Sequence, residues 1–216
     1  MIEANSDAAV LTGDLVNSSK AGPTATGQAM RQIEATLALV EAWVDNGPGL
    51  FTRIRGDGWQ FIVQNQSYTL RSSLFAFSNL HAVRDLPQTR IAIGMGGIDR
   101  IDGPDLSAAT GPAFVASGQY LDAMNKTDRF AIGGNTSTAL HRAVVTLVED
   151  HISRWTPEQA EATALYLCPT DPTLKEIANT LGISTQAVHS RIKGAGAKAL
   201  RQAVKHWEDQ KDRAPC

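Results

Sequence analysis

Only two cysteines, Cys168 and Cys216, occur among the 216 residues. They are too few for a disulfide framework and lack the spacing of paired metal ligands. No apolar run approaches the roughly 20 residues that a membrane span needs. The opening MIEANSDAAV has no basic region followed by an apolar core. These absences predict a chain with no membrane partner and a cytoplasmic location. There is no internal repeat and no low-complexity segment. A strong charge of either sign is missing too, the formal net charge being −2. The distribution says more than the total. From Ser184 to Trp207 there is no acidic residue at all, while Arg191, Lys193, Lys198, Arg201 and Lys205 all fall there. A local stretch of this kind points to a polyanionic partner.

At 43% hydrophobic residues, the chain is rich enough for a packed core. Strand-like and helix-like patterns alternate over the first 150 residues. Strands are expected over Ala8–Thr12, Leu50–Arg55, Trp59–Gln64, Arg90–Met95 and Arg129–Ile132. The second and third are joined by Gly-Asp-Gly, a hairpin signal. Met30, Ile33, Leu37, Val40 and Val44 recur at spacings of three and four, which predicts a helix lying on the sheet. Further helices are expected over Tyr68–Leu80, Pro112–Met124 and Ser137–Ile152. The order β-α-β-β-α-β with an added α-β-α is an α+β layout that opens as a split βαβ unit, a ferredoxin-like arrangement.

A boundary is expected near Ser153, dividing residues 1–152 from residues 153–216. Thr156, Pro157 and Gln159 fit an N-cap, a proline at the first helical position and a capping-box partner. Thr173 and Glu176 repeat the spacing. In TLKEIANTLGISTQAVHSRIKGAGAKAL, Ala178, Gly182, Ile183, Val188 and Ile192 stand where two helices would cross closely, turn through a left-handed glycine and seat the second helix. The pattern resembles the helix-turn-helix of sigma factor region four and related regulators. That resemblance implies an all-α helix-turn-helix domain binding duplex DNA. Its recognition helix would run from Thr185 to about Lys193, with Thr185, Gln186, His189, Ser190 and Lys193 facing outward and Arg191 in the basic face. The alternative is a packing module with a solvated basic face.

Two aspartates raise a separate question. Asp14 ends the apolar run in AVLTGDLVNSS, and Asp57 sits between glycines in RIRGDGWQFIV. In a split βαβ unit the first strand pairs antiparallel with the third, so both carboxylates fall at one edge of the sheet. Their repulsion calls for a cation, and Mg²⁺ with a nucleoside triphosphate supplies one, since Mg²⁺ takes one or two carboxylates and completes its shell with phosphate and water. The segment Leu15-Val16-Asn17-Ser18-Ser19 would offer backbone N–H groups to phosphate. Taken singly, Asp57 is also ordinary hairpin chemistry and Asp14 a loop or capping carboxylate. Asp99, Asp102 and Asp105 lack the spacing of a calcium loop and read as a solvated loop.

GDLVNSS resembles the first metal motif of class III nucleotidyl cyclases, RGDGWQFIV their second metal aspartate, RIAIGMGGI their Gly-rich strand and GPAFVASGQYL the helix after it. The same four segments, with similar length and a C-terminal extension, resemble the bacterial SatD family. The resemblance spans roughly residues 8–150. It implies a palm-like domain, Asp14 and Asp57 as metal ligands for Mg²⁺, Arg53 near a base-selecting position, and a homodimer. Where cyclases carry an asparagine and, four residues on, an arginine, this chain has Val115 and Gln119. Neither can do that work, because a neutral side chain cannot spread the charge of a transferring phosphoryl group. Arg90, Arg100 or a second subunit's arginine would have to substitute. The first reading is therefore a nucleotide-sensing, DNA-binding regulator; the second is a purine nucleotidyl cyclase or nucleotidyltransferase; the third is a dimerisation scaffold.

Overall fold

The computed structural model describes residues 6–43, 50–54, 56–101, 103 and 105–209. Val44, Arg55, Asp102 and Cys216, named above, lie outside them. β1 (Ser6–Leu15) is central, paired antiparallel with β3 (Gly58–Val63) on one side and with β4 (Thr89–Ile98) on the other. β2 (Phe51–Ile54) closes the hairpin edge, and β5 (Phe130–Gly133) adds parallel to β4, giving the order β2-β3-β1-β4-β5. The architecture is α+β with a mixed five-stranded sheet. β1 runs beyond its apolar core, because a strand paired on both sides keeps its backbone bonded through polar positions such as Asp14.

Alternation along β1 separates two apolar layers. Ala9 and Leu11 join Trp59, Phe61, Ile91 and Ile93 beneath α1 (Ser18–Glu41) and α2 (Thr69–His81), whereas Ala8 and Val10 pack with Ile62, Ala113 and Phe114 beneath α3 (Pro112–Ala123). Met30, Ile33, Leu37 and Val40 of α1 are buried on the predicted face. The helix starts twelve residues ahead of that face, at Ser18. Its first turn ends at Gly22 (φ 83°, ψ 168°), and Pro23 restarts it, a position where proline's missing N–H costs nothing. The loop before α3 is pinned over the sheet by buried Leu106, whose N–H donates to Thr52 Oγ1 at 2.7 Å.

After α4 (Ala139–Ile152), α5 (Pro157–Tyr166) and α6 (Leu174–Leu181) start with the two predicted capping boxes. α7 (Thr185–Gly194) and α8 (Ala197–Glu208) are the last elements among the described residues. These helices share one apolar core with the sheet, a continuous cluster reaching from Ala9 to Trp207. α2 lies at its centre, with eleven of its thirteen residues buried, Arg71, Ser72, Ser73 and Ser78 among them. Polar ties cross the same contact. Arg71 forms a bidentate pair with Glu208 at 2.5 and 2.7 Å and donates to Leu167 O, and the Trp207 indole donates to Gln66 O. Trp155 and His151 both reach Ala195 O. Cys168 is half-buried, and burial pushes its thiol pKa up, which suits a packed rather than a reactive sulfur. Among the described residues no helix is long and apolar enough to cross a membrane.

Candidate functional site

Strand register brings the two aspartates together. Asp14 pairs with Gly58 across β1 and β3, so Asp57 stands beside it, and Leu15 N–H donates to Asp57 O at 3.2 Å. Gly56, at φ 73°, makes the turn that puts Asp57 there. Asn17 takes the left-handed conformation (φ 58°, ψ 28°) as the N-cap of α1, and the Ser18 hydroxyl donates to Asp57 Oδ2. On the other flank Arg90 lies directly opposite Asp14 across β1 and β4. Its Nε donates to Oδ1 at 2.9 Å and its Nη2 to Oδ2 at 2.5 Å, while Nη1 donates to Met124 O at 2.7 Å. The hydrogen bonds to Asp14 raise the Arg90 pKa above its ordinary value, against the opposing effect of burial.

The result is a cleft of about 340 Å³ lined by Asp14, Ser18, Ser19, Lys20, Asp57, Arg90 and Lys126, among others. A second hollow of about 490 Å³ adjoins it, sharing Ser18, Ser19 and Asp57 and continuing past Pro23, Thr26 and Arg53. The two hollows share a wall at Ser18, Ser19 and Asp57, with three cations along the first and Arg53 along the second. The first N–H groups of a helix have no intrahelical acceptor, so the start of α1 adds donors to the charged end.

Several expected residues take other roles. Leu15 is buried, and the N–H groups of Leu15 and Val16 are taken up by Asp57 O and Gln88 O, leaving Asn17, Ser18 and Ser19 as the donors that can face a phosphate. Arg53 donates twice to Gly56 O, at 3.0 and 2.7 Å, which braces its own hairpin beside the second hollow. Val115 and Gln119 are exposed on α3 and do not line the cleft. Lys20 and Lys126 carried no signal in the sequence. Lys126 arrives from the α3–β5 loop, and only the sheet register reveals its neighbours.

The donor set as it stands does not fit Mg²⁺. Both oxygens of Asp14 accept charge-assisted bonds from Arg90, so a metal would have to displace a guanidinium that is also tied to Met124. Among the described residues, no group of three or more His, Cys, Asp or Glu side chains could hold a metal.

The C-terminal candidates lie on the opposite end of the chain. Gly182 caps α6 in the left-handed region (φ 64°), Ile183 N–H reaches back to Ala178 O at 3.1 Å, and Ser184 Oγ caps α7 through Ala187 N–H. Ala178, Val188 and Ile192 are buried; Thr185, Gln186, His189, Ser190 and Lys193 are exposed. Arg191 differs from its neighbours, turning back to an ion pair with Glu161 of α5 at 2.7 Å. His189 and Lys193 border a groove of about 920 Å³ whose far wall carries Lys198 and Arg201 of α8.

No family model matches this chain, including any for the SatD or sigma-factor resemblances, and no curated protein matches it. Among solved structures, the guanylyl cyclase Cya2 is similar at 12% sequence identity and a TM-score of 0.43, over 61% of this chain and 77% of that one. What the cleft can do follows from its own residues.

Proposed function

We propose that the chain binds a nucleoside triphosphate or a related nucleotide in the cleft beside Asp14 and Asp57, within a palm-like part formed by residues 1–152. The observation that carries the reading is the convergence of Lys20, Arg90, Lys126 and the first turn of α1 on one concave site with a second hollow attached. Three cations and free helix N–H groups suit a phosphate chain, and the less charged hollow suits the nucleoside. A thermal-shift screen of ATP, GTP, CTP and UTP, with and without Mg²⁺, tests it. A nucleotide at a hundred times its dissociation constant should add about 2.7 kcal/mol of stability. No shift with any of the four rejects the reading.

Turnover is a separate matter within the same reading. A nucleotidyl cyclase or nucleotidyltransferase needs a group that spreads charge over the transferring phosphoryl, and Val115 and Gln119 face solvent away from the cleft. A catalytic form would need a guanidinium in that role: Arg90 lines the cleft but is forked to Asp14, so either it turns from that pair to the transferring group or a second copy of the chain supplies an arginine. Incubation with the four nucleotides and chromatography of the products is expected to give little or no conversion. Turnover on the order of 1 s⁻¹, an ordinary enzyme rate, makes the protein an enzyme.

A second reading concerns residues 153–216, which we propose act as a helix-turn-helix for duplex DNA, making the whole chain a nucleotide-responsive regulator. The supporting observation is the exposed polar face of α7 at Gln186, His189 and Lys193, free of acidic neighbours on its own helix. With full-length protein in an anisotropy titration, Lys193→Ala is expected to lower the slope of log affinity against log salt by about one. Arg191→Ala should leave that slope unchanged, because Arg191 is held by Glu161. An unchanged slope in Lys193→Ala, or no salt-dependent affinity at all, defeats this reading.

A further inference from the structure

We propose that the cleft holds the phosphates of its nucleotide without a divalent ion, Arg90 occupying the place that a metal would take on Asp14. The inference rests on the nucleotide reading of this cleft and specifies its chemistry. A site that takes a metal through two carboxylates gathers negative charge, which the cation then offsets. Here Asp14 and Asp57 are matched along the cleft wall by Lys20, Arg90 and Lys126, while Asp122 and Asp128 act on Arg90 from outside that wall.

Arg90 is not a chance neighbour of Asp14. The register of β1 and β4 sets the two residues opposite each other, and a fork of two parallel hydrogen bonds joins them. A third bond to Met124 O fixes the guanidinium from the far side. A divalent ion on Asp14 would have to break the fork and then sit close to the displaced guanidinium, two like charges in a confined space. A phosphate needs no such rearrangement. Of the five N–H donors of Arg90, the fork with Asp14 uses two and Nη1 turns to Met124 O and Asn125 O, which leaves the second hydrogen of Nη2 for a phosphate oxygen. Lys20 and Lys126 are exposed and lie at the same cleft from two other segments of the chain. Asp57, with one oxygen bonded to the Ser18 hydroxyl, orients that first turn.

Isothermal titration of the full chain with inorganic tripolyphosphate, ATP and GTP, once in EDTA and once in Mg²⁺, tests the proposal. Binding in EDTA at least as tight as in Mg²⁺ is expected. Binding only in Mg²⁺ overturns the proposal and leaves the nucleotide reading standing; no binding in either buffer overturns both. Asp14→Asn separates the roles further. If Arg90 is the cation that serves the ligand, losing its carboxylate partner leaves affinity in EDTA unchanged or tighter. If Asp14 is a metal ligand, the same change abolishes binding in Mg²⁺ and the proposal fails. Arg90→Gln is expected to weaken tripolyphosphate binding by about tenfold or more, the scale of a lost charge-assisted contact. Should that variant not fold, Lys20→Ala with Lys126→Ala changes only exposed side chains and is expected to weaken binding in EDTA about tenfold. Unaltered affinity in this double variant also overturns the proposal.

Discussion

Arg71→Ala is expected to lower the stability of the protein by about 3–5 kcal/mol, the usual cost of removing one partner of a buried ion pair. Arg71 is 3% exposed, and its guanidinium holds both oxygens of Glu208 from α8 and the carbonyl of Leu167 after α5. Truncation leaves Glu208 without its partner and Leu167 O without a donor, in a contact closed to water on most sides. It also leaves a void against α2, the helix around which the remainder packs. Chemical denaturation should show the midpoint falling with little change in slope, because the same surface is exposed on unfolding. The double change Arg71→Met with Glu208→Leu is expected to recover most of the loss, since well-packed apolar replacements often match a buried pair. A loss under about 1 kcal/mol in Arg71→Ala would mean that α8 is not held to α2 by this pair.

Gly94→Ala is expected to be nearly as severe, about 3 kcal/mol, at the upper end of what overpacking a core costs. A Cβ at this position of β4 would stand 2.0 Å from Ala113 O and 2.6 Å from Ser117 N. Both are backbone atoms of α3, so no rotamer change relieves the overlap and the helix must lift from the sheet. Lifting it breaks the buried bond between Thr12 and Ser117 at 2.7 Å. It also shifts Met124, just past the end of α3, whose carbonyl holds Arg90 at the cleft. Gly94→Ala should therefore weaken phosphate binding as well as stability, although the residue does not line the cleft. Gly27→Ala in α1 is the control. Its Cβ would meet nothing nearer than Arg31 Nη1 at 3.6 Å, and replacing a helical glycine there should add about 0.5–1 kcal/mol. Equal melting temperatures for Gly94→Ala and the wild type would contradict the close packing of α3 on β4.

Local signals were readable in the sequence because each is decided within a few residues. The spacing of Met30, Ile33, Leu37 and Val40 sets the buried face of α1, and these side chains are indeed buried. The pairs Thr156 with Gln159 and Thr173 with Glu176 form reciprocal caps, and Gly182 takes the left-handed turn that a side chain resists. The approach of Asp14 to Asp57 followed from the order of strands and helices, since a split βαβ unit leaves the first strand between the third and fourth. α2 was legible only as a helix. Its run TLRSSLFAFSNLH mixes serine and arginine with apolar residues, yet it is enclosed on nearly every side, with the hydroxyls of Ser73 and Ser78 bonded to carbonyls of the preceding turn.

The charged contacts were decided by tertiary structure alone. Arg71 and Glu208 are 137 residues apart, and Arg90 and Asp14 are 76 apart. No periodicity or cap links positions so distant. A carboxylate at the end of an apolar strand has the same sequence signature whether a metal or a guanidinium will stand beside it. Here the register of β4 against β1 fixes Arg90 opposite Asp14, at a separation where opposite charges pair.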